Sequence, residues 1–259
     1  MRVLLTNDDG IASPGLHALL AALAPVAETV VIAPLENQSA VARSITLRRA
    51  ITVVEHDLPG AAAAYAVDGT PVDCVRFGAL GLGGDDYDAV VSGANLGHNL
   101  GDDVTYSGTV AAALEGVLLG LPAIAVSQGA VDGGLGTASG GEFAFEAGAG
   151  FVGRLTATML DHGLPEGLLL NVNVPHAPRG ARVATLGRRV YRDRLDVIED
   201  RGREKVYRIY GGDHGYDEQP GSDLETVAEG LIAVTPLHYD LGVRGGDGWL
   251  YDLDLATLL

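Results

Sequence analysis

The stretch MRVLLTNDDGIASPG, residues 1–15, decides the fold. Residues 2–6 form a short, largely apolar run with the length and composition of a buried strand. The run stops at Asn7-Asp8-Asp9-Gly10, two adjacent carboxylates followed by a glycine that lets the backbone turn sharply. After Ser13-Pro14-Gly15 the segment LHALLAALA has helical spacing, with Ser13 expected as the N-cap and Pro14 at the first helical position. Two acids therefore occupy the loop that leaves the carboxyl end of a first strand, the place where open α/β sheets bind ligands. Like charges side by side repel unless a cation lies between them. A solvated Asp-Asp turn is the competing reading, and this stretch alone leaves both open.

Working outward, strand and helix alternate. Residues 29–33 read as a second strand closed by Pro34, and the polar segment LENQSAVARS (35–44) follows its carboxyl end. Residues 51–55 and 64–67 read as weaker strands, expected to pair antiparallel. Asp68-Gly69-Thr70-Pro71 starts a helix through VDCVRFGAL. Then come a strand at 88–92, the glycine-rich loop GANLGHNLGDDVTYSGT (93–109), a small-residue helix at 110–119 and a strand at 123–127. The Gly/Ser-rich segment 130–141 reads as a flexible loop, 142–160 as a long helix, and 168–174 and 182–186 as further strands. This alternation predicts a three-layer α/β fold around a mostly parallel sheet.

The character changes at residues 188–220. Eight of the seventeen basic residues fall between Arg188 and Arg208, and VYRDRLDV (190–197) and EKVYRIY (204–210) are expected to be two arms of a charged β-hairpin. A solvated hairpin, a direct substrate role and an arm that clasps another subunit are its three readings. Ser222-Asp223 is expected to cap a helix through LETVAEG, and 231–236 reads as a late strand. The expected division is a catalytic core over 1–187, the arm over 188–220, and a segment over 221–259 that completes the core and a subunit interface.

Composition bounds the function. The 259 residues are 47% hydrophobic and carry a net charge of −17, which argues against a general nucleic-acid binder. Each apolar run is interrupted before it reaches a membrane span, and Met1 leads straight into a strand with no secretion leader, so a cytoplasmic protein is expected. The single cysteine, Cys74, lies in an apolar helical stretch and reads as a buried structural thiol. An anionic substrate would meet the repulsion of this acidic background, so a local cation must offset it.

Overlaying the loops gives the chemistry. Asp8 and Asp9 follow the first strand, Ser39 the second and Asn95 the strand at 88–92, so parallel neighbours gather four oxygen donors on one sheet edge. With no histidine or cysteine cluster beside them, these donors point to a hard cation, Mg²⁺ or Mn²⁺, one per subunit. Ser107-Gly108-Thr109 stands where a helix N-terminus presents free N–H groups to a phosphate. A cation beside an anion cradle suits phosphoryl transfer to water. Each residue also has a plainer use: Asn95 as a turn residue, Ser39 as loop polarity, Ser107 and Thr109 as caps, His98 as incidental, Asp102 and Asp103 as solvated turn residues.

The segments VLLTNDDGIASPGL, APLENQSAVARSITL, DGTPVDCV and VVSGANLGHNLGDDVTYSGTVAAALEG closely resemble, in this order and spacing, the SurE (survival protein E) 5'-nucleotidase family. YRDRLD, the GSD at 221–223 and IAVTPL add to the resemblance, which covers nearly the whole chain. It implies a Rossmann-like core and a metal-dependent phosphatase of nucleoside monophosphates. It also implies Asp8, Asp9, Ser39 and Asn95 as metal ligands, with Asn99, Ser107, Gly108 and Thr109 contacting the phosphate. It further implies a homodimer or homotetramer that exchanges C-terminal arms, and side activities on 3'-nucleotides or short polyphosphate. Either Asp8 or Asp9 then serves as base toward water, or one of them forms an aspartyl-phosphate. The charged VIEDRGREKV and the two arginines of TLRRAI depart from the family pattern, leaving base preference and arm geometry open. A non-catalytic nucleotide sensor, or a phosphatase of another small phosphomonoester, is the alternative.

Overall fold

The computed structural model describes residues 1–132, 135, 141–209 and 215–242. The elements in chain order begin with β1 (Arg2–Thr6), α1 (Pro14–Leu23), β2 (Glu28–Pro34), β3 (Val53–Glu55), β4 (Ala63–Val67) and α2 (Pro71–Ala79). Next come β5 (Ala89–Leu96), α3 (Gly108–Leu118), β6 (Ala123–Gln128), α4 (Glu146–His162), β7 (Leu168–Val174) and β8 (Ala181–Val183). The last are β9 (Arg189–Val190), β10 (Asp196–Arg201), β11 (Glu204–Arg208), β12 (Gly215–Tyr216), α5 (Asp223–Ala228) and β13 (Ile232–His238).

Nine strands form one sheet in the order β3-β4-β2-β1-β5-β6-β7-β13-β8. From β4 to β7 every neighbour is parallel, while β3 and β13 run antiparallel to β4 and β7. The fold is therefore the expected Rossmann-like α/β architecture. β1 reads as a continuous apolar run because both of its faces are covered. Val3 and Leu5 pack on the side of α1 and α4, with Leu16, Leu19 and Val152, whereas Leu4 packs on the side of α2 and α3, with Val75, Val110 and Ala113. Leu4 and Leu5 are fully buried, so truncating either to Ala costs about 2–5 kcal/mol.

Topology places the site. The chain winds outward from β1 through β2 to β4, then returns to the opposite side of β1 with β5. That reversal between β1 and β5 opens a crevice at the carboxyl ends of the two strands.

Four elements differ from the sequence expectation. The long helix starts at Glu146, not 142, with Phe145 at its N-cap stacked on Phe143 at 6.0 Å over the core. β5 runs on to Leu96, into the glycine loop, and β8 ends at Val183. The hairpin is β10 paired with β11, turning at Gly202 with φ +80°. The expected first arm 190–197 lies mostly outside it, and Arg189–Val190 pairs with Gly215–Tyr216 instead. The 130–141 loop lies largely outside the described residues.

Candidate active site

Asp8 directly follows β1 and is 3% exposed. Thr109, in the first turn of α3, holds it twice: the hydroxyl donates to Oδ1 and the backbone N–H donates to Oδ2 at 3.1 Å. Burial pushes the Asp8 carboxyl up to about 6, the Thr109 hydroxyl opposing and the charge of Asp9 adding to the rise. Asp9, half-buried, is also raised, chiefly by burial. Its Oδ2 accepts from Leu96 N at 3.0 Å and its Oδ1 from Asn37 Nδ2 at 3.2 Å.

The segment carrying Ser39 is stitched to both acids. Gln38 N donates to the Asp8 carbonyl at 2.7 Å, and Asn37, which holds Asp9, accepts from Ser39 N at 2.8 Å. Ser39 itself is exposed at the mouth of the crevice. Asn95 reaches the same edge through a bulge. Ser92 pairs with Ala125 and Asn95 with Ser127, so β5 carries one extra residue there and its later side chains change face. Gly93 makes this possible: its φ is +136°, and a Cβ on it would lie 2.4 Å from the Val126 carbonyl oxygen. Asn95 Nδ2 is taken by the Gly97 carbonyl at 2.9 Å, leaving its Oδ1 as the acceptor suited to a cation.

The start of α3 forms the other half. Ser107 caps it, Oγ accepting from Val110 N at 3.1 Å. Thr109 N is committed to Asp8, so the first-turn N–H groups of Ser107 and Gly108 are the ones without a partner among the described residues. Only glycine fits at Gly108, where a Cβ would stand 2.8 Å from the Cβ of Asp8. Asp8 and the helix terminus therefore touch.

Asn99 sits apart from this contact. It is 5% exposed, and its Nδ2 donates to Ser127 Oγ at 2.8 Å. Asn171 and Asn173 of β7 both donate to its carbonyl at 3.0 Å, and its N–H donates to Asn173 Oδ1 at 2.9 Å. The structure thus brings Asp8, Gly108 and Thr109 into contact, ties Asp9, Ser39 and Asn95 in through Asn37 and Leu96, and anchors Asn99 below. Asn37, Asn171 and Asn173 carry supporting roles that the sequence did not single out. All three are strand or loop asparagines, with no local spacing to mark them.

His98 is 2% exposed and held down to about 4, by burial first and by Arg189 second, so it is neutral at physiological pH. Asp102 is exposed and Asp103 partly buried, both in a short 3-10 turn over Gly101–Thr105. Asp103 pairs with Arg189 at 2.7 Å and accepts from Tyr191 OH at 2.7 Å, while Asp102 accepts from Arg189 N at 2.9 Å. They fasten the start of the arm to the glycine loop.

Among the described residues no three His, Cys, Asp or Glu side chains come together as a metal cluster. The donor set here is different: two carboxylates completed by neutral oxygens. It fits a hard divalent cation, because two adjacent carboxylates are both raised by burial and neither forms an ion pair among the described residues.

The comparisons with known proteins give the family. The family model described as survival protein SurE matches residues 3–193. A 5'-nucleotidase SurE of Rubrobacter xylanophilus is 44% identical over 264 residues, covering 100% of this chain and 99% of its own. A 5'-nucleotidase SurE of Geobacter sp. (strain M21) is 45% identical over 249 residues, covering 93% and 94%. The crystal structure of the SurE protein from Aquifex aeolicus superposes with a TM-score of 0.79 at 35% identity, covering 99% of this chain and 100% of that one. The model spans β1, β2, β5 and α3, the elements that build the crevice, and the relatives run the length of the chain, so the chain belongs to the survival protein SurE family.

Proposed function

We infer that this sheet edge hydrolyses nucleoside 5'-monophosphates to nucleoside and phosphate. The chain is a 5'-nucleotidase, a hydrolase, as its relatives across nearly its whole length are named. The observation that carries the reaction is the contact of Asp8 with the α3 terminus, where the Ser107 and Gly108 N–H groups have no partner among the described residues.

Asp8, Asp9, Ser39 and Asn95 would hold one divalent cation, Mg²⁺ or Mn²⁺. Such a cation, when bound, neutralises phosphate charge and lowers the pKa of water. The N–H groups of Ser107 and Gly108, with the positive end of the helix dipole, receive the remaining phosphate oxygens. Thr109 borders this cradle and fixes Asp8, while Asn99, its side chain bonded to Ser127, holds the loop below it. Asp9 is less buried than Asp8 and is not gripped by Thr109, so it takes the proton of the attacking water, while Asp8 keeps its orientation.

The enzyme works as a homodimer or homotetramer. The β10–β11 hairpin is exposed along both strands and displays Val197, Ile198 and Tyr207 beside its charges, a surface that a neighbouring subunit covers. Among the described residues no helix is long and apolar enough to cross a membrane. With its one cysteine buried at Cys74, we place the protein in the cytoplasm. Phosphate release with Mn²⁺ or Mg²⁺ across 5'-nucleotides, 3'-nucleotides, short polyphosphate and simple phosphomonoesters tests the reading. Release fastest from 5'-nucleotides is expected; binding of nucleotide with no release makes the protein a sensor instead.

A further inference from the structure

A carboxylate outside the site is built into its support. Glu115 of α3 is 2% exposed, yet it sits between two guanidinium groups: Arg43 Nη2 at 2.8 Å from Oε2 and Arg76 Nη2 at 2.6 Å from Oε1. Arg76 belongs to α2, the helix packed against α3. Arg43 belongs to the loop that carries Ser39, four residues earlier in the chain.

That loop has no secondary structure between β2 and β3, and two of its alanines hold positive φ: Ala40 at 60° and Ala42 at 51°. Side-chain-bearing residues rarely rest there, so the surroundings must impose it. The anchors flank the two alanines. Upstream, Gln38 N is bonded to the Asp8 carbonyl. Downstream, Ala42 N donates to the Tyr106 carbonyl at 3.1 Å, and Arg43 reaches Glu115. Glu115 and Thr109 lie on one rigid helix, about 9 Å apart along its axis at 1.5 Å per residue. The same helix therefore grips Asp8 with Thr109 and the Ser39 loop with Glu115.

We propose, resting on the reading of Ser39 as a cation donor, that Glu115 is a positioning residue for the cation site, acting through Arg43 to hold the 40–43 segment so that Ser39 stays beside Asp8 and Asp9. Arg76 balances the charge at the other oxygen, Oε1, through an ion pair that lacks hydrogen-bond geometry, so the Glu115 charge is not buried against Arg43 alone.

Calorimetric titration of the full chain with Mn²⁺, run beside kcat, KM and the metal-free melting midpoint, tests this. Glu115→Gln and Arg43→Ala each weaken Mn²⁺ binding about tenfold, the usual range for residues that orient ligands. Arg43→Lys recovers part of the loss, since Lys keeps the charge without the fork. In a Ser39→Ala background, Glu115→Gln adds less than about twofold, because its effect runs through that residue. A Glu115→Gln protein that melts lower yet binds Mn²⁺ as the wild type does reduces Glu115 to packing and overturns the proposal. If Glu115→Gln does not fold, Arg43→Ala, whose side chain is 39% exposed, carries the same comparison. Wild-type Mn²⁺ affinity in Ser39→Ala alone overturns the donor reading, a failure distinct from that of Glu115.

Discussion

Thr109 holds Asp8 by two hydrogen bonds across 101 residues of sequence, hydroxyl to Oδ1 and N–H to Oδ2. Both carboxylate oxygens are thereby fixed in direction before any ligand arrives, and the hydroxyl is the half of the grip that mutation can remove. Thr109→Val keeps the shape and deletes the donor. Mn²⁺ affinity is expected to fall about tenfold or more, and Thr109→Ser to restore most of it. Equal affinity in Thr109→Val and wild type, measured by calorimetry, contradicts this role.

Asp8 is costly as a charge in the metal-free fold. Its carboxyl rises from 3.8 to about 6 on folding. Below about pH 4 folded and unfolded chains both hold the proton and nothing is lost; between about 4 and 6 the folded chain alone holds it; above about 6 the folded chain carries an ionised group at a cost on the order of 3 kcal/mol. Stability from this group therefore falls as pH rises through that window. In chelator, Asp8→Asn is expected to melt above the wild type near pH 8, with the gap closing toward pH 4. A gap of the same size at both ends refutes the shift. With metal restored, Asp8→Asn and Asp9→Asn are each expected to lose most activity, a neutral amide being a poorer ligand for a hard cation.

Gly108→Ala inserts a methyl where only 2.8 Å separates the new Cβ from that of Asp8. The expected outcome is loss of phosphate release and of metal affinity together, with an intact circular dichroism spectrum. Ser107→Ala acts differently. It removes the cap of α3, at about 1 kcal/mol of stability, and disturbs the anion cradle, lowering kcat/KM by tenfold to a thousandfold, on the order seen for a lost anion donor. Its Mn²⁺ affinity is expected to stay near wild type. A parallel loss of metal in Ser107→Ala breaks this division of labour.

Removal of residues 196–208, joined by a short glycine turn, is expected to give a smaller species in sedimentation, since the exposed apolar side chains of β10 and β11 have nothing among the described residues to cover them. An unchanged oligomer with unchanged activity leaves the hairpin a solvated ornament.

The first half of the chain was legible because its signals are local. The apolar run of β1, the Asp-Asp-Gly turn and Pro14 at the helix start lie within fifteen residues. Even there, Ser13 has the backbone of an N-cap, φ −63° and ψ 132°, while its hydroxyl makes no capping bond. Thr70 was a stronger cap than its sequence announced, closing a full capping box with Asp73. The first arm of the hairpin was placed six residues early, while the second began at Glu204 as expected, because a strand with no buried face has no alternation to read, and only Gly202 marks its turn. Thr109 on Asp8, Arg43 on Glu115 and Asn173 on Asn99 are 101, 72 and 74 residues apart, and nothing in local spacing announces such partners.

The three asparagines that meet at Asn99 give the crevice unequal sides. Asn171 and Asn173 belong to a strand with neighbours on both edges, so the loop they hold inherits the slow opening of the sheet interior. The side that carries Ser39 has no strand behind it and is tethered at a few points. One side of the crevice thus rests on the sheet and the other on point contacts. Amide exchange is expected to be slow at Asn99 and faster in the Ser39 loop at residues other than Ser39, Ala42 and Thr46, whose N–H groups are bonded.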